Sequence, residues 1–157
     1  MRIFLAAGIA ALTLALAPRV QAQTGLPDRP TARFFSGSGN VAFLAGGLLA
    51  SDRREGVRAL VTSTVVVTGL KYSTRERRPD GSTHDSFPSG HASAAFTIAG
   101  MAAARAHSGT EAALWYLGAG LIADSRVTLK RHYPHDVVVG GLLGLLVARS
   151  PALRLRF

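Results

Sequence analysis

The sequence predicts an all-α fold, a compact helical bundle whose functional site lies at one end, among inter-helix loops and helix N-termini. Apolar segments rich in Ala, Gly and Leu recur along the chain, each about 10–15 residues long, the length of a buried core helix. Polar segments rich in Pro, Gly and charged residues separate them. With 157 residues, the chain is long enough for one domain around one core.

The first 22 residues have the layout of a secretory signal peptide. Arg2 gives a positive start, residues 3–17 are apolar, and Pro18 precedes a cut expected after Ala22. We therefore expect an exported, periplasmic protein, with an uncleaved membrane anchor as the alternative. Removal of Arg2 and Arg19 lowers the formal net charge from +9 to +7. The absence of cysteine excludes a disulfide framework and thiolate chemistry.

The elements that follow are predicted from the apolar runs and from the residues that interrupt them. Residues 23–40, rich in Pro, Gly, Ser and Arg, are expected to form an irregular lead-in to a helical-bundle domain over residues 41–157. β-Branched side chains leave a strand as the alternative for residues 57–70. Helices are predicted for residues 41–51, 57–70, 92–106, 111–124 and 137–148, with a loop over 71–91 and a basic tail over 149–157.

The lengths of the apolar runs bear on membrane insertion. A spanning helix needs about 20 apolar residues, so runs of this length favour a helical bundle over a polytopic membrane protein. The Gly and Ala content also allows close helix packing within a membrane, which keeps that alternative open. A membrane surface is therefore a candidate partner.

Three polar segments carry phosphate-binding chemistry. The first, "KYSTRERRP" at residues 71–79, combines Lys71 with an arginine cluster, and the net charge of +9 also indicates an anionic partner. In the second, "PSGH", Pro88 is expected to open a helix. The backbone N–H groups of Ser89, Gly90 and His91 then lack intrahelical acceptors and face a bound anion. His91 can also supply a proton near neutral pH.

The third segment, "SRVTLKRHYPHD" at residues 125–136, has the same organisation. Pro134 starts a helix and leaves His132 on the loop that enters it. Asp136, in the first turn, can accept a hydrogen bond from one imidazole nitrogen, which frees the other as a nucleophile or base. Arg126 offers a planar fork for phosphate oxygens. Each segment alone is more often a cap, a solvated loop or a structural pair, but all three share one chemistry.

These segments resemble the motifs of the type 2 phosphatidic acid phosphatase family, which shares its fold and site with bacterial acid phosphatases and vanadium haloperoxidases. The resemblance runs from about Val41 to Ala148. The matching positions are Lys71, Arg78, Pro79, Pro88, Ser89, Gly90, His91, Ser125, Arg126, His132 and Asp136.

The resemblance implies that residues 41–157 form a phosphatase domain, which hydrolyses phosphomonoesters or lipid (pyro)phosphates through a phosphohistidine. His132 would attack phosphorus, Asp136 would orient it, and His91 would protonate the leaving oxygen. The phosphate oxygens would be held by Lys71, Arg78, Ser89, Gly90 and Arg126. No metal and no cofactor is expected, and vanadate is expected only as a phosphate mimic or inhibitor.

Other polar and aromatic residues receive weaker assignments. His135 is expected to be structural or to lie behind the site, and His84 and Asp85 to line its entrance. Arg75 and Arg77 are expected to face solvent or to help attract anions. Trp115 and Tyr116 are expected in the core or an interface, and His107 at a helix end.

Two other functions remain open at this level. A vanadate-dependent haloperoxidase would use the same pocket, but the chain is short for one. A non-catalytic binder of anions or membrane surfaces would use only the charge. A nucleic-acid partner is not expected, because basic residues are not interleaved with aromatic ones. The sequence predicts no oligomeric state, and it does not separate a small phosphomonoester from a lipid phosphate as substrate.

Overall fold

The computed structural model describes residues 28–155, and all regular structure within them is helical. The absence of strands in this part of the chain confirms the predicted all-α fold. The elements are α1 (Arg29–Ser36), α2 (Ser38–Ala50), α3 (Arg53–Thr74), α4 (Gly90–Ala103), α5 (Gly109–Thr128), α6 (Pro134–Arg149) and a 3₁₀ turn (Pro151–Leu153).

Helix α4 lies at the centre of the bundle and contacts α2, α3, α5 and α6. Its side chains are small: Ala92, Ala95 and Ala99 have no exposed surface. Ile98 is also fully buried, and a Cβ on Gly47 of α2 would lie only 2.0 Å from its Cγ2 atom. The alanine-rich composition therefore has a direct structural reason, since only a thin helix can be surrounded by four others at close range.

Helices α4 and α6 are in backbone contact. A Cβ on Gly140 would lie 2.4 Å from the carbonyl oxygen of Ser89, and one on Gly144 would lie 2.2 Å from that of Ser93. These contacts advance in the same direction along both helices, so α4 and α6 run parallel. Their N-termini therefore lie side by side.

Helix α3 runs antiparallel to α4. The buried hydroxyls of Ser63 and Ser93 are hydrogen-bonded at 2.6 Å, while Val67, one turn later in α3, faces Gly90, at the start of α4. Helix α5 follows α4 through the short connection 104–108, which makes these two neighbours antiparallel as well. The C-terminal ends of α3 and α5 thus meet the N-termini of α4 and α6, which places the three polar segments at one end, as predicted.

Several predicted boundaries were wrong. Residues 28–40 are not irregular: Asp28 caps α1 by accepting a hydrogen bond from the Thr31 N–H at 3.0 Å, and Ser38 begins α2. Residues that suggested a loop act here as helix caps and first-turn residues. The strand alternative for residues 57–70 is also wrong, because they lie within α3. The expected signal peptide, residues 1–22, lies outside the described residues, as do residues 23–27 and 156–157.

The sequence alone allows both a helical bundle and a polytopic membrane protein. Among the helices of residues 28–155, none combines the length and the apolar character needed to cross a bilayer.

Candidate active site

Lys71 enters the site from the last turn of α3, which extends to Thr74 and so includes residues predicted as loop. Its ammonium group donates to the backbone carbonyls of Asp85 and, at 3.4 Å, of Ser86. Burial lowers the pKa of Lys71, and the negative charge of Asp85 opposes this effect. Arg75 follows the helix as its C-cap and has a left-handed backbone with φ of 47°.

Arg78 lies on the loop between α3 and α4 and is held by Asp85. The Arg78 Nη2 atom donates to Asp85 Oδ2 at 2.9 Å, and Thr83 donates to the other oxygen of the same carboxylate. The Nε atom of Arg78 is buried without an acceptor among the described residues. Asp85, expected only at the entrance, therefore also orients Arg78, one of the cations predicted to bind phosphate.

Helix α4 begins at Gly90, two residues after Pro88, which was predicted to open it. Ser89 precedes the helix as its N-cap, and its hydroxyl accepts from the Ala92 N–H at 3.5 Å. The Ser89 N–H is not free, because it donates to the Asp136 carbonyl at 2.9 Å. Within residues 28–155 the N–H groups of Gly90 and His91 have no acceptor. The groups left for the predicted anion cradle are therefore these two N–H groups and the Ser89 O–H.

Arg126 lies in the last turn of α5, whereas the sequence placed it on a loop. Its carbonyl accepts from the N–H groups of Arg131 and, at 3.2 Å, of His132, which fixes the turn that carries the histidine. Its Nη1 atom donates to the hydroxyl of Ser36 in α1, and its Nε atom is buried without an acceptor in the described part. Burial, with Arg78 second, lowers the pKa of Arg126 to about 10, so it stays cationic near neutral pH.

His132 and Asp136 form a buried pair. The His132 side chain is 2% exposed and that of Asp136 is 0% exposed, with His132 Nδ1 facing Asp136 Oδ2 at 3.5 Å. The same oxygen accepts from the Tyr133 N–H at 2.9 Å and from the Ser86 hydroxyl. Burial raises the pKa of Asp136, but hydrogen bonds led by those of His132 and Ser86 outweigh it, so the net shift is downward. A fixed, ionised carboxylate thus faces Nδ1, which leaves Nε2 for chemistry.

His91 shares this space with the cations. The nearby backbone of Ser36 favours the protonated form of the ring and so raises its pKa. Burial, followed by the neighbouring guanidinium of Arg126 and then the side chain of His132, lowers the pKa of His91 to about 4. A bound dianion adds opposite charge at this position and raises that pKa.

A cavity opens beside Lys71. It has a volume of about 500 Å³ and is lined by Thr68, Lys71, Tyr72, Arg75, His84 and Asp85. A smaller cavity of about 230 Å³ has Thr68, Lys71 and Gly90, at the start of α4, in its lining. Thr68 and Lys71 line both cavities, so both lie beside the C-terminal end of α3.

The remaining assignments agree with the structure in most cases. Arg75, Arg77 and His107 are exposed, and Trp115 and Tyr116 pack against the core of α4 and α5. His84 lines the cavity, as expected.

Three polar contacts in the structure were not predicted from the sequence. Ser86 donates to Asp136, Ser36 accepts from Arg126, and Glu76 accepts from His135. Ser86 stands two residues before the PSGH segment, but nothing in the sequence around it indicates a contact with Asp136. The partners of Ser36 and Glu76 lie 90 and 59 positions away, so no local pattern indicates them.

Known proteins are similar to this chain in sequence and in fold. A curated relative, the lipid A 1-phosphatase of Porphyromonas gingivalis, is 36% identical over 87 residues, which covers 52% of this chain and 19% of that protein. The chain therefore matches about a fifth of the length of this relative. The crystal structure of LpxE from Aquifex aeolicus has a TM-score of 0.60 and 29% identity, over 75% of this chain and 78% of that one.

The family model of the PAP2 superfamily matches residues 57–153, the region from α3 to the 3₁₀ turn that contains every motif position. Helices α1 and α2 lie before the matched region. The match covers more than half of the chain and confirms the resemblance drawn from the three segments. This protein belongs to the PAP2 superfamily.

Proposed function

We propose that this protein is a lipid phosphate phosphatase that transfers the phosphoryl group first to His132 and then to water. One observation supports this proposal above the others: the buried His132–Asp136 pair lies among the cations Lys71, Arg78 and Arg126. Phosphoryl transfer mainly requires positioning and charge neutralisation, and such a cluster supplies both.

The first step forms a bond between His132 Nε2 and phosphorus and breaks the bond to the leaving oxygen. Asp136 keeps Nδ1 protonated and stabilises the positive charge that develops on the ring. The buried Nε–H groups of Arg78 and Arg126, which have no acceptor within the described chain, are available to the equatorial phosphate oxygens. Water then attacks the phosphohistidine and releases inorganic phosphate.

His91 would act as the general acid on the leaving oxygen. Its pKa of about 4 keeps it neutral in the unliganded protein at neutral pH. Binding of a phosphate dianion raises that pKa, so the proton enters together with the substrate. In the second step the same ring, now neutral, takes a proton from the attacking water.

The leaving group would occupy the cavity beside Lys71. The exposed ring of Tyr72 offers a flat surface, and Arg75, Asp85 and His84 offer polar contacts around it. This lining suits a sugar or another polar head group better than a bare acyl chain. We therefore propose a lipid phosphate with a polar head group, which agrees with the lipid A 1-phosphatase name of the relative.

Export to the periplasm and contact with a membrane surface are part of the proposal. The first is supported by the pattern of residues 1–22 and the second by the lipid substrate named for the relative. Fractionation of cells that express the full chain tests both, since the protein should appear in the periplasmic or membrane fraction.

The decisive experiment is hydrolysis of p-nitrophenyl phosphate, phosphatidate and lipid A 1-phosphate in EDTA. His132→Gln should abolish turnover, whereas His107→Gln, a matched change at the opposite end of α4, should leave it unchanged. Rapid alkaline quenching of radiolabelled substrate should trap a base-stable phosphoprotein in the wild type and not in His132→Gln.

Three outcomes would contradict the proposal. Folded wild-type protein that hydrolyses none of the three substrates would exclude the activity. Full turnover in His132→Gln would exclude this residue as the nucleophile. Vanadate-supported halide oxidation that exceeds phosphate release would indicate a haloperoxidase.

A further inference from the structure

Glu76, His135 and Asp136 form a cluster next to the catalytic pair, and the proposed reaction uses only one of the three. The His135 Nε2 atom lies 3.1 Å from Glu76 Oε1 and 3.1 Å from Asp136 Oδ1. One metal-ligating atom from each side chain lies within 4.8 Å of the other two. We propose that these three side chains bind a divalent transition-metal ion of the Zn²⁺ type and that its binding inhibits the enzyme.

The spacing fits a tetrahedral ion. Zinc binds imidazole nitrogen and carboxylate oxygen at about 2.0–2.2 Å, which places neighbouring ligand atoms about 3.3–3.5 Å apart. The two distances of 3.1 Å from His135 are only a few tenths of an ångström shorter. A small outward movement of His135 and Glu76, whose side chains are 46% and 33% exposed, admits the ion from solvent.

A second observation comes from the buried oxygen of Asp136. Its Oδ2 atom accepts hydrogen bonds from the Ser86 hydroxyl and the Tyr133 N–H, but Oδ1 accepts no hydrogen bond from residues 28–155. The nearby Nε2 of His135 does not align with it, because it is bonded to Glu76. A buried carboxylate oxygen without a donor costs free energy. A metal ion shared with His135 and Glu76 would satisfy it.

The ligands are held in place before any ion binds. The imidazole of His135 is stacked on the ring of Tyr133, with centroids 5.4 Å apart and planes 7° from parallel, and lies 6.1 Å from the ring of Phe87. The carbonyl of Glu76 accepts from the Ser86 N–H at 2.9 Å, which fixes the loop opposite. Ordered ligands lose little conformational entropy on binding, so the cluster is prepared for coordination.

The donor set indicates the class of ion. Two carboxylates balance the charge of a divalent cation, and one imidazole favours zinc and its neighbours over Mg²⁺ and Ca²⁺, which prefer oxygen ligands. Three protein ligands leave one position for water.

Inhibition rests on the function proposed above. Asp136 orients His132 and stabilises positive charge on its ring. An ion on Oδ1 withdraws negative charge from this carboxylate, so the imidazolium that forms during phosphoryl transfer is less stable. The phosphate-binding cations are left in place, and kcat is expected to fall more than substrate affinity.

The binding test does not depend on activity. Untagged full-length protein, stripped with EDTA and desalted, is titrated with ZnCl₂ by calorimetry. We expect one ion per chain in the wild type, with affinity reduced about tenfold or more in His135→Gln and in Glu76→Gln. His107→Gln is the matched control, because His107 is also exposed and lies beside a carboxylate, that of Glu111, and it should bind like the wild type.

The inhibition test uses p-nitrophenyl phosphate. Zn²⁺ should lower kcat in the wild type and in His107→Gln, and the half-inhibiting concentration should rise about tenfold or more in the two cluster variants, each compared with its own activity without metal. Wild-type protein that binds no Zn²⁺ at 100 µM (about 5.5 kcal/mol of binding free energy) would overturn the site. Equal Zn²⁺ affinity in all four proteins would do the same. Binding that leaves kcat unchanged would overturn the inhibition.

Discussion

The contact between α4 and α6 can be tested by one methyl group. In Gly140→Ala the added Cβ would lie 2.4 Å from the Ser89 carbonyl oxygen and 3.2 Å from the carbonyl carbon, both rigid backbone atoms. Ordinary contact begins near 3.4 Å, so the helices must separate by about 1 Å. Ser89 begins the anion cradle and Asp136 lies one turn before Gly140, so this separation directly displaces the site.

The expected effects follow from that displacement. Overpacking costs about 1–3 kcal/mol of unfolding free energy. A misplacement of about 1 Å between reacting groups lowers the rate about 100-fold. The assays are urea unfolding and hydrolysis of p-nitrophenyl phosphate.

Gly120→Ala is the control for this change. No heavy atom of residues 28–155 lies within 4 Å of a Cβ built there, and alanine favours a helix by up to about 1 kcal/mol over glycine. It should retain full activity and equal or greater stability. Activity of Gly140→Ala within about twofold of wild type, with unchanged unfolding, would refute the backbone contact.

Three further predictions concern the supports of the site. Tungstate is a dianionic phosphate mimic whose charge raises the pKa of His91 from about 4, so its binding takes up a proton. Wild-type protein should therefore bind tungstate more tightly as pH falls, by up to about tenfold per pH unit. A tungstate affinity that does not change with pH would refute this in the wild type, whereas His91→Gln should show such a pH-independent affinity. Ser86→Ala removes a donor from buried Asp136, so the free energy of unfolding measured in urea should fall by about 1–3 kcal/mol. Ser36→Ala releases Arg126, and kcat/KM should fall about tenfold, since hydrogen bonds to charged groups contribute about 1.5–3 kcal/mol; Ser36→Thr should restore it.

The helices were predictable because their apolar runs are continuous and proline or glycine interrupts them. The wrong predictions concern residue types that occur both in loops and in helices or at helix ends. Asp28 and Pro30 suggested an irregular segment, yet they cap and open α1. Arg126 suggested a loop because it is polar, yet it lies in the last turn of α5, where the Ser36 hydroxyl accepts a hydrogen bond from its guanidinium group. Polarity predicts solvent exposure only when a residue has no buried partner.

The sequence by itself determined the chemistry available to this protein. The spacing from Lys71 to Arg78, the PSGH segment and the interval from Arg126 to Asp136 indicate the candidate reactive groups and place them at helix ends or in the loops between helices. Those choices are local, since they depend on residue type and on proline and glycine within a few positions.

Only the tertiary structure decided how these groups are supported and which of them meet. The parallel contact of α4 and α6 depends on Gly140 and Gly144 facing backbone atoms some 50 positions earlier in the chain, at Ser89 and Ser93. The partners of Arg126 and His135 come from α1 and from the loop after α3. Such contacts depend on how the helices pack in three dimensions, and the helical periodicity of the sequence does not predict them.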